Sequence, residues 1–296
     1  MKAYFRTHWR RLLYALFLTV LFCWPYLFQD FLNIGHDTFF HLSRIQGLAD
    51  AISRGDWFPA VYPYKNNGFG YASPLFYSDF FLVLPALLYN AGLNLAACYK
   101  LVIFACTFCS CLAMMHLIAR VYDHASAVYL GGFLYLFSNY RITDVYVRGA
   151  LGEVMAMIFL PLLLAALYDL LDRQDTAHWL QLALASAGLV LCHNLTFLFG
   201  MIMLLLMLLC YRRKLTKEVF LAGCKAMGTA FLLTAFFTLP MIEQLGSQAF
   251  YLSYYASSSD LGSQAMRLWQ YFANTTVFGM GGNTYPEDTT MLENVG

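Results

Sequence analysis

The feature that most constrains this chain is a succession of long apolar blocks, at about 12–32, 75–91, 99–119, 126–138, 151–171, 178–192, 195–210 and 219–240. A helix rises about 1.5 Å per residue and the hydrocarbon core of a bilayer is about 30 Å thick, so a spanning helix needs roughly 20 apolar residues. Several blocks reach that length. Charged residues make up 12% of the 296 positions, against about 25% in soluble domains, which leaves too little polar surface for a water-soluble fold. A β-barrel would alternate in strands of ~10 residues, and no segment does. The pattern predicts an all-α polytopic integral membrane protein in the cell membrane, with one membrane domain over residues 1–296. Its parts are a first helix at 12–32, an external loop with an amphipathic helix at 33–74, further transmembrane segments at 75–240 and an external tail at 241–296.

Orientation follows from the basic residues, which favour the cytoplasmic side of a membrane. Lys2, Arg6, Arg10 and Arg11 precede the first block, and Arg212-Arg213-Lys214 falls between two later ones. Both are expected to be cytoplasmic. The bulky Trp24-Pro25-Tyr26 offers no cleavage site, so the first helix is read as uncleaved rather than as a signal peptide. Counting crossings puts 33–74 and 139–152 on the external side, yet three apolar blocks lie between them. One block must fail to cross, or two must act as one. Block 75–91, short and holding Asp79 and Pro85, is the expected exception. The total is then seven or eight crossings.

Net charge is +1, and no basic cluster points to nucleic acid. Eight cysteines lie almost wholly inside apolar blocks. The CxxC formed by Cys106 and Cys109, beside Cys111, reads as small apolar packing on a helix, and no disulfide framework is implied.

Two polar clusters carry the chemistry. After Asn33-Ile-Gly-His-Asp37, helical periodicity to about Arg54 groups Leu42, Ile45, Leu48, Ala49 and Ile52 on one face, with Ser43, Gln46, Asp50, Ser53 and Arg54 opposite. This predicts an amphipathic helix at the membrane surface. Asp37, His41 and Arg44, at i, i+4 and i+7, form a stripe on the border of the two faces. Such a trio at a water–lipid boundary suits an anionic, lipid-linked substrate. The plainer alternative is Asp37 as an N-cap and Arg44 snorkelling to headgroups. The aromatic loop Tyr62–Tyr71 reads either as a sugar-stacking surface or as an interfacial aromatic belt.

The second cluster runs from Asn139 through Arg141, Asp144 and Arg148 to Glu153. Glu153 enters an apolar block, where a carboxylate is costly unless it faces a partner or a watery cavity. The alternative is an Asp144–Arg148 salt bridge at a helix start. His193-Asn194 interrupts a hairpin on the same side, and Pro240 with Glu243 is expected to end the last block. Glu287, Asp288 and Glu293 read as solvated loop.

These clusters, in this order, resemble the GT-C superfamily of membrane glycosyltransferases that use polyprenyl-phosphate-linked sugars. The resemblance rests on Gly35-His-Asp37-Thr-Phe-Phe-His41-Leu-Ser-Arg44, on Asn67-Gly-Phe-Gly-Tyr-Ala-Ser-Pro-Leu-Phe-Tyr77 and on Tyr146-Val-Arg148-Gly-Ala-Leu-Gly-Glu153. More narrowly, the chain resembles bacterial membrane proteins called 6-pyruvoyl-tetrahydropterin synthase-related, and the YfhO-like proteins near them; no pterin chemistry is carried over. The resemblance implies a GT-C-like helical bundle and a chain shorter than its relatives, truncated at the C-terminus. It implies a lipid-linked sugar donor and a glycan or lipid acceptor at the outer face, among membrane lipids. Asp37 would be the catalytic carboxylate and Glu153 a second acid. His41, Arg44, Tyr146, Arg148, His193 and Glu243 would contact substrate, and Asp144 would hold Mg²⁺ or Mn²⁺. Two other readings stand beside it: a transporter or flippase of lipid-linked intermediates, and a non-catalytic membrane protein of the same fold.

Overall fold

The computed structural model describes residues 2–29, 32–122 and 124–247, with side chains from His8 onward. The tail from 248, including Glu287, Asp288 and Glu293, lies outside the described residues, as do Lys2 and Arg6 as side chains. The described chain is helical, with one isolated antiparallel bridge between Tyr62 and Tyr71. Its helices are α1 (Lys2–Leu27), α2 (Thr38–Ser53), α3 (Ser73–Phe76), α4 (Val83–Asn90), α5 (Leu95–Val121), α6 (Ala125–Leu136), α7 (Asn139–Thr143), α8 (Leu151–Leu171), α9 (Trp179–Cys192), α10 (Asn194–Cys210) and α11 (Lys217–Ser247). Among these, α1 from His8, α5, α8 and α11 are long and apolar enough to cross a membrane. The protein is an all-α polytopic membrane protein.

Side-chain contacts order the crossings. We call the end of the bundle reached by the C-terminus of α1 the upper face. There the Lys100 ammonium, near the start of α5, donates to the Gln29 carbonyl. At the opposite end Tyr14 meets Tyr129 of α6, their ring centroids 4.8 Å apart. Helices α1 and α5 are therefore antiparallel, and α6 starts at the lower face. Helix α6 stops halfway, with Leu136 packed at the level of Cys111 and Met115. The chain climbs on through α7 and a π-helical turn at Asp144–Arg148 to the upper face, where the Tyr26 hydroxyl donates to the Val145 carbonyl. This crossing is broken rather than being one helix over 126–138. It ends at Gly149, whose φ of +66° a side chain rarely tolerates; the Gly149 N–H closes the turn onto Asp144 O.

Helix α8 returns to the lower face, where Arg120 grips the buried Asp169 at 2.8–3.0 Å. Helices α9 and α10 go up and back as a hairpin, and α11 climbs again, its far end near Asn194, which donates to Met241 Sδ. The described chain thus traverses the bundle seven times. Helix α4, eight residues long, packs on α2 and leads straight into α5 at the upper face, so it does not cross. That closes the parity between the two polar clusters.

Three sequence-based boundaries change. The first helix starts at Lys2 and ends at Leu27, well short of 32. Helix α11 runs through Pro240 to Ser247; proline near a helix end in a membrane is tolerated where neighbours satisfy the freed carbonyl. Helix α2 occupies the expected span but does not lie on the bilayer surface as an independent amphipathic element. Its apolar face packs on α4 and α5, and His41 and Arg44 are buried as well. The reason is a partner the helical wheel does not show: Asp79, arriving from the next segment.

Small residues set the closest helix contacts. Gly188 of α9 leaves no room for a Cβ, which would overlap the Phe159 ring of α8. Gly188→Val is expected to cost about 1–3 kcal/mol by overpacking, whereas Gly228→Ala, which meets nothing within 4 Å, is expected to be neutral or slightly stabilising through helix propensity. All eight cysteines are free thiols and Cys106 and Cys192 are buried, so thermal exposure to a thiol-reactive dye in detergent measures both. Equal midpoints for the two variants would sink the packing argument.

Candidate functional site

The upper face is assembled by a backbone junction between segments far apart in sequence. The Asp37 N–H donates to the Arg148 carbonyl at 2.8 Å, and the Gly35 N–H donates to Thr38 Oγ1 at 2.9 Å. Gly35 lies so tightly on the Val147 and Arg148 backbone that a Cβ would overlap it, and Gly149 abuts Thr38 in the same way. The glycines of the two motifs thus serve a single purpose: they let two backbones touch. The sequence clusters 35–44 and 141–153 meet here.

Asp37 stands at the N-cap position of α2, yet its carboxylate makes no capping bond. The side chain is half-buried. Behind it, His41 donates nothing through Nδ1; that atom faces Arg44 Nη1 at 3.2 Å as an acceptor. Burial, reinforced by the Arg44 charge, pushes the His41 imidazole well below its ordinary range, so it is neutral.

Arg44 is fully committed inside the protein. Its Nε donates to Asp79 Oδ1 at 2.8 Å and its Nη2 to the Ser78 carbonyl at 2.7 Å. Its guanidinium lies 4.1 Å from the centroid of the Tyr77 ring. Asp79 in turn accepts from the buried Tyr62 hydroxyl. Burial pushes the Asp79 carboxyl up, and Arg44 and the Tyr62 hydroxyl work against that rise. Arg44 is therefore spent inside the protein and is not a snorkelling cation. Tyr62, from the aromatic loop, is likewise part of this core.

Tyr77 is the hub. Its ring centroid lies 5.9 Å from those of Phe40, His41 and His193, and a Cβ on Gly152 would overlap its hydroxyl. The charges of Asp37 and Glu153 are both felt at the Tyr77 hydroxyl and at the His193 ring. His193 caps α10: Nδ1 accepts from the Thr196 N–H at 3.3 Å, which leaves the proton on Nε2.

The rim is a charge ladder. Arg148 binds Asp144 at 2.6 Å and Glu153 at 2.8 Å, and Glu153 also accepts from Tyr140. Arg141 does not join it. It is buried in the middle of the bundle, its Nη groups on Thr107 and Ser110 and its Nε without a hydrogen-bond partner. The expected single face is divided: Arg141 in α7 turns into the bundle, while Asp144 and Arg148 pair across the π-helical turn that follows.

Two further residues assigned by resemblance lie elsewhere. Tyr146 points into the bundle, stacking on Tyr26 at 5.0 Å and donating to the Phe22 carbonyl. Glu243 is exposed on α11, outside the cluster. Asp144, assigned to a metal, is enclosed and held by Arg148. Among the described residues no three His, Cys, Asp or Glu side chains converge as a hard cation requires. The described residues do not fit Mg²⁺ or Mn²⁺.

Sequence reasoning missed Tyr77, Asp79 and Tyr140 as members of the site. Asp79 carried a signal, a carboxylate in an apolar block beside a segment rich in aromatics. Tyr77 closes one of the runs that carry the resemblance and Tyr140 lies within the second polar cluster, but neither position by itself marks a tyrosine hydroxyl as part of the site.

Comparison with known proteins gives three findings. No solved structure matches the chain. An uncharacterized protein of Lactococcus lactis subsp. cremoris is 27% identical over 256 residues, covering 80% of this chain and 40% of that protein, so the chain spans well under half the length of that relative. Residues 75–259, which include the Asp144–Glu153 ladder and His193 but not Asp37, match a family of membrane proteins. With more than half its length matched, the chain belongs to the 6-pyruvoyl-tetrahydropterin synthase related domain family of membrane proteins.

Proposed function

We propose that the upper face is the active site of a glycosyltransferase that takes a sugar from a polyprenyl phosphate and transfers it to a glycan or lipid of the cell envelope. The observation that supports this best is the junction of Asp37 with Arg148, which gathers two carboxylates, a histidine and a tyrosine at the membrane boundary. Direct transfer from a lipid phosphate needs a carboxylate to take the proton of the acceptor hydroxyl. Asp37 suits this role because its carboxylate is not spent on capping. Glu153, held by Arg148 and Tyr140, suits the orientation of an acceptor. Arg148 already faces two carboxylates, so hydrogen bonding to the departing phosphate falls to the Nε2–H of His193.

Orientation supports an external site. Arg10, Arg11, Arg120, Arg173, Arg212, Arg213, Lys214 and Lys217 gather at the lower face, against Arg44, Arg54, Lys65, Lys100 and Arg148 at the upper one, where Arg44 and Arg148 are paired with carboxylates. By the preference of basic residues for the cytoplasm, the N-terminus is cytoplasmic and the site faces outward.

One feature favours the transporter reading: the third crossing is discontinuous and carries the buried Arg141, as the mid-membrane sites of transporters do. A single experiment separates the two. The protein is reconstituted in vesicles with a radiolabelled polyprenyl-phosphate hexose and a cell-envelope extract as the acceptor source. Transfer releases free polyprenyl phosphate and moves label into the extract. Movement of intact donor across the vesicle, with no release, supports the transporter and overturns the transferase.

A further inference from the structure

We infer that the lower half of the bundle holds a second site, apart from the upper-face cluster, in which one anionic phospholipid binds with an acyl chain between α10 and α11 and its phosphate on Arg212 and Arg213. Helix α11 packs along α9, and α10 packs along α8 and α9, but α10 and α11 scarcely meet each other. Below their splay lies a cleft of about 260 Å³. Its walls include Leu204 and Leu208 of α10 and Val219, Phe220 and Gly223 of α11. Gly223 looks into open space: a Cβ there would meet nothing within 4 Å. A gap of this kind inside a membrane bundle must be filled, because an empty one forfeits dispersion contacts on every wall.

The lining says what fills it. Every residue around the cleft is apolar, apart from the weakly polar thiol of Cys224 and the bare backbone of Gly223. Irregular polypeptide there would bring amide groups with no partners, which a membrane interior does not tolerate. A hydrocarbon chain brings none. The mouth is set by the turn Arg212-Arg213-Lys214-Leu215, and Leu215 itself lines the cleft. Lys214 anchors the turn by pairing with Asp172 at 2.6 Å, and Gln174 donates to the Lys214 carbonyl at 2.9 Å. That leaves the Arg212 and Arg213 side chains exposed in the turn just before the cleft-lining Leu215, with Lys217 at the start of α11. Glu218 is the acid of this stretch and belongs to the first turn of α11, where the helix dipole favours it. A positively charged mouth over an apolar slot matches an anionic headgroup with one chain inserted, and a zwitterionic lipid fits it less well.

The test is native mass spectrometry of the full chain released from nanodiscs that contain equal amounts of phosphatidylglycerol and phosphatidylcholine with the same acyl chains. Wild type is expected to retain phosphatidylglycerol preferentially. Arg212→Gln with Arg213→Gln is expected to reduce that preference roughly 30-fold, the effect of two basic groups near an anionic headgroup. Gly223→Phe, which fills open space, is expected to reduce retention of both lipids while leaving the thiol-exposure midpoint unchanged or higher. That midpoint distinguishes a filled cleft from a misfolded protein. Equal retention of both lipids by wild type overturns the proposal, as does an unchanged preference in the double variant. So does a photoprobe on the exposed Cys224, with Cys109 and Cys210 replaced by serine, that labels another polypeptide segment instead of lipid.

Discussion

Asp37→Asn is expected to lower sugar transfer by roughly 10²–10⁴-fold, the usual contribution of a positioned general base, with insertion and thermal stability unchanged. Structure explains why the two effects separate. What docks Asp37 is its backbone N–H on the Arg148 carbonyl, which asparagine keeps. Asparagine is also as good as aspartate at a helix N-cap, and the native carboxylate makes no capping bond there in any case. The substitution therefore removes a charge and a proton acceptor and little else. The readout is polyprenyl phosphate released in the vesicle assay, beside the thiol-exposure midpoint. Activity within about tenfold of wild type would remove Asp37 from the role of base. Glu153→Gln provides the contrast. It breaks the Arg148–Glu153 pair, so stability is expected to fall along with activity.

Asp79→Ala is expected to be the most destabilising single change at the upper face, by about 3–5 kcal/mol, because it leaves the Arg44 guanidinium buried without its counter-charge. Arg44 has its remaining bonds on the Ser78 and Tyr77 carbonyls and on neutral His41, and none of these compensates a full charge. The Tyr62 hydroxyl loses its acceptor in the same step. Replacing both partners with apolar residues, Arg44→Met with Asp79→Leu, is expected to recover most of the loss, since the desolvation of both ions then disappears. Thiol-exposure midpoints for the two single variants and the double variant give the coupling directly. If the double variant falls as far as the sum of the singles, the pair is not a coupled unit and Arg44 has a different partner. Loss of activity in Asp79→Ala with its midpoint restored by lipid would place the effect in the position of α2, and so of Asp37.

The expectations from sequence held where the physics is local and failed where it is not. The apolar blocks at 99–119 and 151–171 became α5 and α8 nearly as drawn, because a run of apolar side chains in a bilayer has few alternatives to a helix. The Asp144–Arg148 pair was also legible, as two residues one turn apart. Helix α6 was not. Its apolar run continues to 138, but Ser138 and Asn139 interrupt it and Gly149 is needed to end the π-helical turn, so the crossing is built from three pieces. The helical wheel puts Arg44 on the border of the two faces because it shows faces, not neighbours. Whether a face is wet depends on what packs against it, and Asp79 is 35 residues away in sequence.

The sequence by itself determined that this is a helical membrane protein with polar chemistry concentrated in two short segments. Hydrophobic patterning acts residue by residue, and its reading requires only the length of a bilayer. Only the tertiary structure decided that those two segments meet at one face, that α4 does not cross, and which charges stand at the rim and which are spent inside. Those outcomes rest on backbone contacts between Gly35–Thr38 and Val147–Gly149, and on a buried ion pair whose members are helpless alone. Each is a property of pairs distant in the chain, and a periodicity, however clear, carries no information about pairs.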